Sequence, residues 1–217
     1  MSWSSSTIAR KFAMALSGLL LVLFLLSHLT TNMLSVISAD AFNEASHFLG
    51  TNPLIQFIAQ PILIFGVFFH FILGFVLEAK NRSSRPIKYA KKSTDNASWM
   101  SQNMIYSGLV ILAFLILHFI DFWIPEMNYK YIEMLPEVSD RYYPELVHKF
   151  ANPIRVIAYV VAFVLLALHM LHGFQSSLQS MGINNKFTPS IKKFTQAYAI
   201  IVPLGFIFIA VYHFINH

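Results

Sequence analysis

Five stretches of the chain are almost purely apolar, and the polar residues gather between them. The apolar runs cover about residues 12–34, 54–77, 104–124, 153–177 and 194–215. Each is close to the roughly 20 residues that an α-helix needs to cross the hydrocarbon core of a bilayer. Pro53 and Pro153 stand at or just before the starts of the second and fourth runs, where a missing N–H does no harm. Pro203 falls inside the fifth and predicts a bend there. The pattern predicts an all-α integral membrane protein, one domain over residues 1–217 with five transmembrane helices.

The connections have their own patterns. Residues 40–50 predict a short interfacial helix that Asp40 can cap and Gly50 can end. Ala41, Phe42, Ala45, Phe48 and Leu49 form one apolar face on it, suited to lying on a bilayer. Residues 125–152 are acidic and tyrosine-rich (Tyr129, Tyr131, Tyr142, Tyr143) and read as an interfacial belt and loop. No internal repeat or low-complexity segment stands out.

Composition agrees with the membrane class: 56% of residues are hydrophobic and 12% charged. There is no cysteine, which removes disulfides, Cys-ligated iron–sulfur clusters and Cys-type zinc sites. Metal chemistry must therefore use histidine. The net charge of +5 does not point to nucleic acid, because the basic residues sit in the connections and not in a groove interleaved with aromatics. Arg10 and Lys11 precede the first run. Lys80, Arg82, Arg85, Lys88, Lys91 and Lys92 follow the second, and Lys186, Lys192 and Lys193 follow the fourth. Eleven of the fifteen basic residues thus share one side, which the positive-inside rule makes cytoplasmic. The N-terminus is then cytoplasmic and the C-terminus outside. Arg10-Lys11 ahead of an apolar stretch also resembles a signal peptide, but that stretch exceeds the roughly 7–15 residues of an apolar h-region, so it reads as a retained span.

Four of the runs carry histidines at membrane depth, where an ionisable group is costly and functional by default. A rise of about 1.5 Å per residue places His28 roughly 24 Å and His118 roughly 21 Å from the cytoplasmic side. The same arithmetic places His70 roughly 12 Å and His169 roughly 12–15 Å from that side. Two layers result, about 10 Å apart, each with two histidines on different helices. Two haems with bis-imidazole ligation suit this arrangement, since neutral imidazole offers a lone pair to iron and an apolar macrocycle fills the space between helices. Gly18, Ser27, Gly74 and Gly173 are small enough to let a ring approach. A histidine-lined proton or metal transporter is the alternative, as are structural histidines with no common ligand. A zinc or iron path would also want carboxylates at depth, and Asp121 is the nearest. His172, one turn from His169, competes with it. His47 and His148 lie in connections and His213 and His217 at the end of the fifth run; they read as surface histidines, with His47 the one that could border a quinone.

Several short motifs occur in order. Ser4-Ser5-Ser6-Thr7-Ile8-Ala9-Arg10-Lys11 leads to Ala15-Leu16-Ser17-Gly18, with His28 ten residues after that glycine. Phe42-Asn43 precedes Asn52-Pro53-Leu54; then come His70-x3-Gly74 and His169-x3-Gly173, with Gly182 nine further on. In this order and at these span positions the chain resembles the cytochrome b subunit of succinate:quinone oxidoreductases, in the form with a single five-span anchor and two haems. The resemblance covers nearly the whole chain.

The resemblance implies that four spans form a haem-binding bundle. His28 and His118 would ligate the distal haem b, and His70 and His169 the proximal one, the H-x3-G spacing favouring His169 over His172. It implies a flavoprotein subunit that interconverts succinate and fumarate and an iron–sulfur subunit, both on the cytoplasmic face of a bacterial inner membrane. Electrons would pass between the iron–sulfur subunit and a membrane quinone, usually menaquinone, near the distal haem. Asp40, Glu44, His47 and Arg155 are the candidates for the polar groups of the quinone site. Ser17, Trp99, Ser101 and Ser180 are at suitable positions for haem propionates. Some fumarate reductases carry an acidic residue just before the span-four ligand; here Leu166-Ala167-Leu168 stands there, which argues against that proton route. A dihaem anchor of a hydrogenase or formate dehydrogenase is the neighbouring reading.

Overall fold

A computed structural model of the chain describes residues 7–83 and 103–216. Five of its helical segments are long and apolar enough to cross a membrane: Ile8–Ile37, Ile55–Ser83, Met104–Ile132, Pro153–Ser180 and Thr188–Asn216. These are spans one to five below, and each contains the run predicted for it, extended by a few residues into the interface. Burying every backbone N–H and C=O inside the helix is what lets such segments sit in hydrocarbon. Two of the spans include π-helical turns, at Ile55–Ala59 opening span two and at Phe119–Trp123 and Asn128–Ile132 in span three. Pro203 lies within span five, whose helix continues on both sides of it.

Span one packs against two, four and five, and span four packs against one, three and five. Spans two and three barely touch, so an apolar gap of about 240 Å³ opens between Val67, Phe71 and Phe75 on one side and Leu112, Leu115 and Phe119 on the other. Spans one to four therefore form a ring with a loose seam, in which one faces three and two faces four across the diagonals. Span five backs the ring on the side of one and four. Its Ala199, Val202, Phe206 and Ala210 are buried there with Phe163 and Met170 of span four. Gly205 stands where even a Cβ would come within 2.8 Å of Leu29, so close approach to span one needs glycine. The outward faces are large exposed hydrophobics, as lipid contact requires.

Two shorter helices cover one end. The interfacial helix spans Ala39–Thr51, and its N-cap is Ser38 and not Asp40: the Ser38 side chain accepts from Ala41 N in extended geometry. Gly50 lies within the helix, which Asn52 terminates. Its apolar face is split, since Phe42 packs into the core while Phe48 and Leu49 remain exposed. The connection predicted as a loop is largely helical: span three runs on to Ile132, and Tyr142–Phe150 forms a helix with Leu146 and Phe150 buried. Buried Asn43 accepts from Tyr143 N at 2.8 Å and joins the two covering helices. This lid explains why His213 is fully buried, against its reading as a surface residue. Ser35 commits its proton to Asn32 O and so accepts from His213 Nε2 at 2.9 Å, while the Tyr143 and Tyr212 rings pack edge-on.

Candidate functional site

The ring of four spans brings the membrane-depth histidines together in two pairs. His28 of span one meets His118 of span three with ring centroids 5.8 Å apart. His70 of span two meets His169 of span four at 6.5 Å. Each pair bridges one diagonal of the ring, so four helices each supply one ring to one of two levels. His172, one turn beyond His169, is half-buried and has no ring contact with another histidine among the described residues.

The immediate surroundings differ by level. Phe24 stacks on His28 and Phe114 on His118, each from one turn earlier on the same helix, and Phe206 of span five closes the side of His28. Ser17 Oγ lies 3.0 Å from His70 Nδ1, and Ser107 Oγ lies 3.1 Å from His169 Nδ1. Beside His118, the buried Tyr159 hydroxyl donates to Asp121 Oδ2 at 2.9 Å and stands 3.5 Å from His118 Nδ1. Arg155 reaches Asp121 Oδ1 at 2.9 Å. A fully buried carboxylate is thereby compensated by one cation and one phenol, which is what its burial demands.

Which metal chemistry fits can be decided from the donor set. A tetrahedral zinc site takes three or four protein ligands. Among the described residues no group of three or more His, Asp or Glu side chains converges. Each level instead offers two imidazoles. Two metal–nitrogen bonds of about 2 Å and two ring radii of about 1.1 Å would put the centroids about 6.3 Å apart, close to both observed separations. None of the four histidines is sealed into packed protein; each keeps accessible surface deep within the bundle. The apolar gap runs alongside both levels, since its lining residues Phe71 and Phe119 contact His70 and His118. Two axial nitrogens with an apolar surround fit a haem iron, whose other ligands come from the macrocycle.

The remaining predicted residues are less concentrated. Ser17 is buried and engaged with His70, and Ser180 is exposed at the end of span four. Trp99, Ser101 and His217 lie outside the described residues, as do Arg85, Lys88, Lys91 and Lys92 and residues 4–6 of the N-terminal motif. Asp40 and Glu44 are exposed on the interfacial helix. His47 packs against Tyr142 in a polar pocket with Thr51, Lys130 and Arg141. Arg155 belongs to the Asp121 cluster. The four quinone candidates thus occupy different settings. Tyr159 and Ser107 were not among the sequence candidates; depth arithmetic could have placed Ser107 level with His169, but nothing in the sequence says that it faces that ring. No protein-family model, no curated protein and no solved structure matches the chain.

Proposed function

We propose that the chain is the membrane anchor and electron-transfer subunit of a bacterial succinate:quinone oxidoreductase, a succinate dehydrogenase or fumarate reductase, holding two b haems. The observation that carries this reading is the pair of histidine contacts at two levels of one four-span ring, each joining diagonal helices. The motif order described above points to the same family. When bound, a haem supplies a one-electron iron couple at each level.

The chain's own residues then have defined tasks. His70 and His169 hold the proximal iron, nearer the end that carries Arg10, Lys80 and Lys186. His28 and His118 hold the distal one, nearer the lid. The apolar walls exclude water from both levels. The basic connections form the face for the flavoprotein and iron–sulfur subunits, and the positive-inside rule places that face in the cytoplasm. A quinone, menaquinone in this reading, exchanges electrons near the distal level, where His47 and the Asp121–Arg155 cluster provide polar groups for its carbonyls and protons.

The test is the visible spectrum of the purified, dithionite-reduced protein together with the identity of what co-purifies. A b-type α band, about two haems per chain and a flavinylated partner subunit are the expected results. A well-folded preparation with no α band would rule the reading out, and would favour a transporter. A hydrogenase or formate dehydrogenase subunit in the complex would move the chain to the neighbouring family.

A further inference from the structure

Ser17 and Ser107 do the same thing at two places. A serine hydroxyl has one proton to give. Ser17 Oγ donates to Met14 O at 3.0 Å while lying 3.0 Å from His70 Nδ1. Ser107 Oγ donates to Met104 O at 2.9 Å while lying 3.1 Å from His169 Nδ1. With that proton committed to the helix carbonyl, each oxygen can only accept, so the ring proton must reside on Nδ1 and the lone pair on Nε2.

The recurrence is part of a repeat that inspection of the whole chain does not reveal. Spans one and three share M-x2-S-G-L-x4-F-L-x2-H, at residues 14–28 and 104–118; spans two and four share H-x3-G-F, at 70–75 and 169–174. The contacts repeat with the letters. A Cβ at Gly74 would meet Met14 Cε at 3.4 Å, and one at Gly173 would meet Met104 Cε at 3.4 Å. Gly18 lies against His70 Cε1 and Gly108 against His169 Cε1. Spans one and two, and spans three and four, are thus two copies of one helix pair, related by an approximate two-fold axis along the bundle. The same serine–histidine bond therefore occurs twice in equivalent settings.

We propose that Ser17 and Ser107 are positioning residues that hold His70 and His169 in the Nδ1–H tautomer, with Nε2 presented to the middle of the ring. The tautomer stands on the hydrogen bonds alone; its effect on a bound iron rests on the haem reading of the preceding subsection. A bond from Nδ1–H raises the basicity of the ligating nitrogen and favours the oxidised metal.

Two measurements on the full chain separate the two claims. Nitrogen-15 NMR of histidine-labelled protein in lipid bilayers, prepared without haem, should show His70 and His169 as Nδ1–H. Ser17→Ala should release His70, and Ser107→Ala should release His169, into mixed tautomers, while Ser17→Thr keeps the wild-type pattern. In the haem-loaded protein each alanine variant should raise the midpoint potential of the proximal haem and weaken its retention about 10-fold, leaving the distal haem unchanged. Nε2–H rings in the wild type, or alanine variants that alter neither tautomer nor potential, would overturn the proposal and leave the haem reading standing. A chain that binds no haem but shows the serine-dependent tautomers would do the reverse.

Discussion

Each level of the ring draws one imidazole from each of two diagonal helices, so a single substitution removes half of one pair and none of the other. His28→Ala or His118→Ala should lose the distal haem alone, and His70→Ala or His169→Ala the proximal one. His172→Ala should keep both. Reduced-minus-oxidised spectra and haem-to-protein ratios check this, and loss of a haem from His172→Ala alone would reassign the span-four ligand. The Asp121 cluster has an energetic consequence. Asp121→Ala strands the Tyr159 hydroxyl and the Arg155 guanidinium, and removing one partner of a buried pair costs about 3–5 kcal/mol. The Arg155 side chain is 29% exposed, so the loss should fall at or below the lower end of that range, read as a lower unfolding temperature in detergent. The histidine pairing was legible in the sequence because helix rise turns residue number into depth. Tyr159 and Ser107 were not, because which neighbour a side chain faces depends on how the helices are rotated and packed. His213 misled for a related reason: its place near a span end says nothing of the lid that Tyr142–Phe150 folds over it.

The lid shows what two short helices and one span end can build from charges that hydropathy treats as a polar loop. Arg141 lies between the Tyr129 and Tyr142 rings, at 4.1 and 4.4 Å from their centroids. Its guanidinium bonds Glu126 of span three and Glu145 at 2.9 Å, and Lys130 reaches both Glu126 and Gly50 O at 2.5 Å. Burial works against the Arg141 charge, but the hydrogen bonds to Glu126 and Glu145 outweigh it and hold the group above its ordinary value. Lysine cannot reproduce a planar fork held between two aromatic faces. Arg141→Lys should therefore loosen the lid, detected as faster amide exchange in residues 142–150, with the histidine pairs intact. Burial, aided by the Glu126 charge, pushes the Tyr142 phenol up to about 12. The folded state then holds that proton more tightly than the unfolded chain, whose phenol titrates near 10. The contribution is present in full below about pH 10 and is lost as pH rises through about 12, so lid exchange should accelerate over that window. Span boundaries were legible from apolar runs because lipid imposes length and composition. The lid helix was hidden because its signal is a few residues long, and Ser38 outcompeted Asp40 as a cap through backbone geometry that composition does not show.

Across the whole molecule, burial is graded: spans four and five form the packed side, and spans two and three are mostly exposed along a loose seam. The basic connections gather at the end opposite the lid, so the positive-inside rule predicts a C-terminus outside the cytoplasm. A C-terminal alkaline phosphatase fusion should be active and the corresponding fluorescent-protein fusion dark. The reverse result would invert the topology and move the partner face across the membrane. The repeat also explains why the diagonals match so well in depth: two copies of one helix pair, turned about a common axis, must place equivalent histidines level. It escaped notice in the sequence because its identical letters are scattered among interchangeable apolar ones. A last consequence concerns the order in which the chain is made. His28 and His70 both belong to the first copy, yet neither has its partner there. Each waits for a ring in the second copy, so neither grip closes until spans three and four have entered the bilayer. Whatever sits between the rings is gripped from both sides only late in synthesis, and once gripped it ties the earlier half of the polypeptide to the later one.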